Sequence, residues 1–157
     1  PSILGAEQDR VSFIMAMNSI AVRLVDKAVA SLFSAGVLSV ASKGLRILDI
    51  GGASGTYTEA FLKNLPESTA TIIDLPVAIA QAKNRFTGTS LESRVSLIEC
   101  DFSKDALPSG FDFAWISAII HQMNREKSRM LRGNCCGTGS WPPSHQGWQR
   151  TSLRTVR

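Results

Sequence analysis

The chain has 157 residues, of which 44% are hydrophobic and 19% are charged, a composition that excludes an intrinsically disordered protein. This length is enough for one globular domain with a sizeable core and too short for two ordinary domains. The net charge of +4 is uneven, because residues 1–126 hold 11 Lys and Arg against 13 Asp and Glu, whereas residues 127–157 hold 6 basic residues and no acid. A basic segment can contact nucleic acid, but these charges form no patch or helical stripe, so we favour an unstructured segment and expect no nucleic-acid partner.

Cysteine usage and apolar patterning indicate the compartment. Cys100, Cys135 and Cys136 fit neither a disulfide framework nor a zinc spacing such as CxxC, so we expect a reducing compartment and no metal site. The longest apolar stretch, residues 28–41, is interrupted by serines and is too short to span a bilayer. No basic-then-apolar signal opens the chain, and we therefore expect a cytoplasmic protein without a membrane partner.

Residues 1–44 are predicted to form an N-terminal helical segment. Between residues 6 and 35, apolar side chains recur every three or four positions, which is the period of an amphipathic helix. The predicted apolar stripe contains Val11, Ile14, Met15, Asn18, Val22, Val25, Val29 and Leu32, with Asn18 as its only polar member. We expect one or two helices here, followed by breaks at Gly36 and Gly44.

Residues 45–132 alternate between apolar runs and helical patterns. The four predicted strands are LRILDIGG (45–52), ATIIDL (70–75), RVSLIECDF (94–102) and FDFAWISAII (111–120). Helical spacing marks TYTEAFLKNL (56–65), VAIAQAKNRF (77–86) with Pro76 in its first turn, and a third helix from Arg125 that Asn124 caps. This alternation predicts an α/β fold with a parallel sheet and right-handed crossovers.

The loop DIGGASG, residues 49–55, lies where the first strand passes into a helix. Glycines there let the backbone approach a ligand, and the helix N-terminus offers free N–H groups to the ligand's polar part. A nicotinamide fingerprint starting at Gly51 would need glycine at positions 53 and 56, where the chain has Ala53 and Thr56. The pattern is instead D-x-G-x-A-x-G, which disfavours a nicotinamide oxidoreductase.

The ends of the next two strands carry acids. Asp74 ends the second strand, where an acidic side chain can accept hydrogen bonds from ribose hydroxyls. Asp101 and Phe102 end the third strand, where the acid can accept from an adenine amino group and the ring can cover a purine. Each acid alone is more often a solvated cap, but together with the glycine loop they predict a nucleoside-type cofactor at the carboxyl edge of the sheet.

The segments that carry these features are LDIGGASGTYTEAF (48–61), IIDLP (72–76), VSLIECDF (95–102), FDFAWISAIIH (111–121) and, upstream, FIMAMN (13–18). In these segments the chain resembles the S-adenosylmethionine-dependent methyltransferases. The likeness is narrower for the O-methyltransferase family that includes plant caffeate-type enzymes and bacterial homologues. It covers roughly residues 13–130 and implies an incomplete Rossmann-like class I methyltransferase sheet of about four parallel strands over residues 45–132, a partial domain with S-adenosyl-L-methionine as cofactor.

The resemblance also implies a set of binding residues. It assigns Gly51, Gly52 and Gly55 to the methionine end of the cofactor, Asp74 to the ribose and Asp101 and Phe102 to the adenine, with Asp49, Leu75 and Ser117 as further cofactor-binding positions. Ala53 replaces a usual loop glycine, and Ser117 stands where plant members often have a cofactor-contacting lysine. FIMAMN resembles the F-x-x-x-M segment that lines the family's acceptor pocket, which makes Phe13 and Met17 the substrate-binding candidates.

His121 falls where the family places its general base, although Gln122 replaces the Asp that usually follows it. A histidine of ordinary pKa near 6.5 suits this role, because a hydroxyl acceptor is a poor nucleophile until its proton leaves. Holding donor and acceptor together supplies much of the remaining acceleration. The alternative interpretation of His121 is a polar residue that merely ends a strand. The alternative for Phe13 and Met17 is ordinary packing in the core.

Residues 133–157 are predicted to form an irregular basic tail, because Gly133 is expected to end the last helix early and no period of two or 3.6 follows. We hypothesise an out-of-frame reading from about residue 130, which sequencing of the source DNA would test. The family has a seven-stranded sheet and a separate N-terminal dimerisation domain. We therefore expect an O-methyltransferase that acts on a hydroxyl of a small, aromatic-type acceptor and is dimeric in its parent form, with weak or no activity in this fragment. The alternative is a catalytically inactive truncated domain that at most binds the cofactor.

Overall fold

The computed structural model describes residues 7–39, 41, 43–101 and 104–116. Its helices are α1 (Glu7–Ser34), α2 (Thr56–Asn64) and α3 (Pro76–Phe86), and its strands are β1 (Arg46–Ile50), β2 (Thr69–Asp74), β3 (Val95–Glu99) and β4 (Phe113–Ile116). A short 3₁₀ turn, Glu92–Arg94, leads into β3. No helix in these ranges is long and apolar enough to cross a membrane. The helix predicted from Arg125 and the tail of residues 133–157 lie outside the described residues.

The four strands form one parallel sheet in the order β3-β2-β1-β4, which confirms the predicted α/β fold. Leu48 of β1 pairs with Thr71 of β2 on one side and with Ala114 of β4 on the other. The chain therefore moves outward from β1 through β2 to β3 and returns to the opposite side of β1 for β4. Such a reversal of strand order opens a crevice outside the carboxyl ends of the strands, where ligands bind in open α/β sheets.

The two central strands supply the core, as expected for continuous apolar runs covered on both faces. Ile47, Ile50 and Ile72 are fully buried. Phe61 of α2 is also fully buried and packs its ring 5.6 Å from that of Phe113 in β4, at an interplanar angle of 82°. This edge-to-face contact ties α2 to the sheet and so fixes the loop that precedes α2.

Helix α1 is one continuous helix of 28 residues, and it buries only part of the predicted stripe. Ile14, Val25 and Val29 are buried as predicted. The assignment of Met15 and Val22 to the buried stripe is wrong, since these side chains are 62% and 54% exposed. Each helical residue advances about 100°, so Met15 and Val22 lie on the flank beside the buried face, and periodicity alone does not separate flank from centre.

Candidate functional site

The loop of residues 51–55 joins β1 to α2 at the carboxyl end of the sheet. The Gly51 N–H donates to the carbonyl oxygen of Ile73 at 2.9 Å, which holds the loop against β2. Ala53 has a φ of +49°, a left-handed conformation that costs residues other than glycine about 1–2 kcal/mol. The replacement of a usual glycine by Ala53 therefore keeps the turn and adds backbone strain.

Two glycines of this loop pack too closely against buried side chains to carry a Cβ. At Gly52 a Cβ would lie 2.8 Å from Cγ of Asp49 and 2.8 Å from Cγ2 of Ile72. At Gly55, where φ is +81°, it would lie 2.5 Å from Cε2 of Phe86. The backbone of the loop thus rests directly on the sheet and on α3, which fixes its course.

Asp74 ends β2, and both of its carboxylate oxygens accept hydrogen bonds from backbone N–H groups. Oδ2 accepts from Ala53 at 2.9 Å, and Oδ1 accepts from Leu75 at 2.7 Å. Burial raises the pKa of Asp74 above its usual value, while these two hydrogen bonds act in the opposite direction. The carboxylate is therefore held against the glycine loop of the neighbouring strand, at the position where the sequence predicted a ribose acceptor.

The end of β3 lies beside the end of β2. The Cys100 N–H donates to the carbonyl oxygen of Asp74 at 2.9 Å, which brings the following residue, Asp101, to the same edge of the sheet. The Asp101 carboxylate lies 2.9 Å from Nζ of Lys104. Leu75, which precedes the first residue of α3, is 37% exposed. The structure thus gathers the glycine loop and the acidic strand ends at one edge, as strand adjacency in a parallel sheet requires.

Other predicted site residues are placed differently. Phe13 is 42% exposed and Met17 is half-buried, both on α1, and their acceptor-lining role stays a prediction. Phe102, Ser117 and His121 lie outside the described residues, so their assignments also stay predictions. Within the described ranges, no group of three or more His, Cys, Asp or Glu side chains is arranged to hold a metal ion.

Asp49 lies in the core beneath the loop and is fully buried. Its Oδ2 accepts a hydrogen bond from the Thr58 hydroxyl at 2.7 Å, whereas its Oδ1 is buried without a hydrogen-bond partner in the described part of the chain. Burial raises the pKa of Asp49 to about 7, the Thr58 hydrogen bond opposes this shift, and the nearby charge of Asp74 adds to it. The folded protein therefore favours the protonated form of Asp49 in mildly acidic solution.

We expect the contribution of Asp49 to stability to fall as the pH rises from about 4 to about 7. Because the folded pKa of Asp49 lies above its value in the unfolded chain, the folded state binds more protons between the two values, so each rise in pH there favours unfolding. At about 1.4 kcal/mol per pKa unit, the full effect is on the order of 4 kcal/mol. Urea unfolding at a series of pH values measures this slope.

The side chain introduced by Asp49→Asn is uncharged and can still accept a hydrogen bond from Thr58. This variant should therefore lose most of the dependence of stability on pH. The raised pKa of Asp74 accounts for the part of the dependence that is left. The matched control is Asp26→Asn, at an exposed acid of α1, which should keep the wild-type slope. An unchanged pH dependence in Asp49→Asn would show that Asp49 is ionised in the folded state throughout this range.

Sequence reasoning missed two polar partners of the site. The sequence predicts only that Thr58 lies in a helix, yet its hydroxyl is buried and donates to Asp49. The sequence predicts Asn18 within an apolar stripe, yet its side-chain oxygen accepts hydrogen bonds from the hydroxyls of Ser54 and Thr56. The signal for Asn18 was its being the only polar member of that stripe, because a polar side chain on a buried face needs a partner.

Comparison with known proteins gives a consistent family assignment. A model of the O-methyltransferase domain family matches residues 5–139. The 3-hydroxy-5-methyl-1-naphthoate 3-O-methyltransferase of Streptomyces sahachiroi is 31% identical over 90 residues, which are 57% of this chain and 26% of that protein. The acetylserotonin O-methyltransferase of Bos taurus is 28% identical over 141 residues, which are 88% of this chain and 38% of that protein.

Solved structures show the same likeness. The O-methyltransferase NcsB1 from neocarzinostatin biosynthesis, in complex with S-adenosylmethionine and 2-hydroxy-5-methyl naphthoic acid, superposes with a TM-score of 0.70 at 25% identity. The match covers 82% of this chain and 37% of that chain. This chain therefore spans between about a quarter and two fifths of the length of these relatives.

Proposed function

We propose a function from the premise that the chain belongs to the O-methyltransferase domain family. In this proposal, the chain contributes to methyl transfer from S-adenosylmethionine to a hydroxyl group of a small aromatic acceptor. The observation that carries the proposal is the contact between Asp74 and the loop after β1. Oδ2 of Asp74, at the end of β2, accepts a hydrogen bond at 2.9 Å from the N–H of Ala53, in the glycine-rich loop that follows the neighbouring strand β1. This arrangement suits a ligand with a ribose and a charged tail.

The residues present fit the cofactor. S-adenosylmethionine carries positive charge on its sulfonium and ammonium groups, and the carboxyl edge of the sheet supplies the carboxyl groups of Asp74 and Asp101, with Asp49 buried beneath the loop. The buried Oδ1 of Asp49 has no partner among the described residues and can accept one further hydrogen bond. Each Asp74 oxygen uses one lone pair on a backbone N–H and keeps another for a ribose hydroxyl.

The protein's own part in the reaction is to bind, orient and deprotonate. The cofactor, when bound, supplies a methyl group already activated by the sulfonium. The loop of residues 51–55 and Asp74 would hold the cofactor, with Asp101, Phe102 and Ser117 completing its contacts. His121 would accept the proton of the acceptor hydroxyl on a ring nitrogen, which raises the nucleophilicity of the oxygen.

The acceptor class is proposed from the relatives. NcsB1 was solved with a hydroxylated naphthoic acid, and the Streptomyces sahachiroi relative methylates a hydroxynaphthoate. A flat aromatic acid would suit an acceptor pocket to which Phe13 and Met17 contribute apolar side chains. A cytoplasmic location, where the free thiol of Cys100 would stay reduced, is part of the same proposal.

A transfer assay tests the proposal. The chain is incubated with S-adenosylmethionine labelled in its methyl group and with 2-hydroxy-5-methyl naphthoic acid, and labelled ether is quantified against the His121→Asn variant. We expect label on the hydroxyl oxygen, at a rate that falls about 100-fold or more in the variant, because positioned bases contribute factors of this size. A folded chain that binds the cofactor and transfers no label would instead be a cofactor-binding domain without catalysis.

A further inference from the structure

A polar junction joins α1 to the loop and to α3. The side-chain oxygen of Asn18 in α1 accepts a hydrogen bond from the Ser54 hydroxyl at 3.0 Å and another from the Thr56 hydroxyl. It also accepts from Nη2 of Arg85 in α3 at 2.8 Å. One atom of α1 is therefore the shared acceptor for three donors from two other parts of the fold, and we call these four residues the Asn18 junction.

The junction is held from its far side as well. Arg85 donates through Nη1 to the Glu59 carboxylate of α2 at 2.6 Å, so its guanidinium is fixed between α1 and α2. Hydrogen bonding to Lys63 is the main cause that lowers the pKa of Glu59, and Arg85 adds to it. Because a guanidinium can only donate, the group of Asn18 that faces it must be the oxygen.

The first two thirds of α1 have few other anchors. Among the side chains described from residue 9 to residue 24, Ile14 is the one that is buried. Phe13, Ile20 and Leu24, on another face of the helix, are 42%, 51% and 50% exposed. The position of this stretch relative to the sheet therefore depends on Ile14 and on the Asn18 junction one turn later.

We infer that Asn18 is a positioning residue, which sets the acceptor-lining stretch of α1 against the cofactor loop through Ser54 and Thr56. The inference rests on the proposed function, since Phe13 and Met17 are carried by the same helix, Met17 being the residue next to Asn18. Through the junction, order in the loop and order in α1 are linked. Cofactor bound at the loop would then also fix the helix that meets the acceptor.

Two variants and one control test the inference. Asn18→Ala removes the shared acceptor, and Asn18→Asp keeps an oxygen acceptor for the same donors. Ser19→Ala is the matched control, because Ser19 is the next residue of α1 and its exposed hydroxyl donates to the carbonyl oxygen of Met15 on the same helix at 3.1 Å. Hydrogen exchange of the unliganded chain is measured in residues 11–21, in the loop of residues 51–55 and in β1. Affinity for S-adenosylhomocysteine is measured by calorimetry.

We expect Asn18→Ala to speed hydrogen exchange about tenfold in residues 11–21 and in the loop, while β1 exchanges at the wild-type rate. We expect the same variant to weaken the binding of S-adenosylhomocysteine five- to tenfold. Asn18→Asp should stay within twofold of wild type in both measurements, as should Ser19→Ala.

Faster exchange throughout β1 would show a general loss of stability, and wild-type exchange in Asn18→Ala would show that other contacts place α1. Either result overturns the inference. A wild-type chain that binds no S-adenosylhomocysteine would overturn the proposed function, while the exchange rates would still decide whether Asn18 links helix and loop.

Discussion

Gly55→Ala is expected to destabilise the fold by about 3 kcal/mol and to abolish cofactor binding. An added Cβ would meet the buried ring of Phe86 at 2.5 Å and Cδ1 of Ile72 at 2.9 Å, and overpacking of this kind costs about 1–3 kcal/mol. The φ of +81° adds about 1–2 kcal/mol for any residue with a Cβ. The loop would have to move away from α3, and the N-terminus of α2 would move with it.

The matched control is Gly88→Ala. Gly88 has a φ of +76°, and a Cβ there would meet nothing within 4 Å, so the control carries the backbone strain without the clash. We expect it to cost about 1 kcal/mol and to leave cofactor affinity unchanged. Urea unfolding of both variants gives the two free energies. Equal losses would mean that the contact with Phe86 is not what requires glycine at position 55.

Asp74→Asn is expected to weaken the affinity for S-adenosylhomocysteine by about 100-fold or more. The carboxylate accepts from Leu75 N–H and Ala53 N–H on different oxygens, so an amide must turn its own donor toward one of them. It also loses a charged acceptor for the ribose, and hydrogen bonds to charged groups contribute about 1.5–3 kcal/mol each. Equilibrium dialysis with labelled S-adenosylhomocysteine measures the affinity.

The control for this variant is Glu99→Gln. Glu99 is the register partner of Asp74 on β3 and is exposed, so the substitution removes a charge from the same edge of the sheet without touching the loop. It should change affinity by less than twofold. If Asp74→Asn bound as tightly as Glu99→Gln, the ligand would not depend on the acid at the end of β2.

The four strands could be predicted because their signals are local, whereas their order in the sheet, β3-β2-β1-β4, is known from the structure alone. Apolar runs bounded by glycine or proline marked β1 and β2, and Pro76 was expected in the first turn of α3, where it is found. The junction of Asn18 could not be predicted, because its partner Ser54 lies 36 residues away and Arg85 lies 67 residues away. Hydrophobic periodicity describes a single helix and carries no information on what a distant segment presents to it.

The candidate site follows the same division. The gathering of the loop glycines and of the acids at strand ends could be predicted from the sequence, because parallel strands place their carboxyl ends at one edge of the sheet. The burial of Asp49 and its bond to Thr58 could not be predicted, because an acid near the end of a strand is equally compatible with solvent. The roles of Phe102, Ser117 and His121 stay predictions from resemblance.

The central claim is that the loop after β1 and the acid after β2 form an S-adenosylmethionine site, and calorimetric titration of the wild-type chain tests it most directly. S-adenosylhomocysteine and NAD⁺ are titrated separately into protein whose folding has been checked by circular dichroism. The account predicts saturable binding of one S-adenosylhomocysteine per chain and no saturable heat with NAD⁺. Absence of S-adenosylhomocysteine binding by the folded chain, or equal binding of NAD⁺, would contradict it.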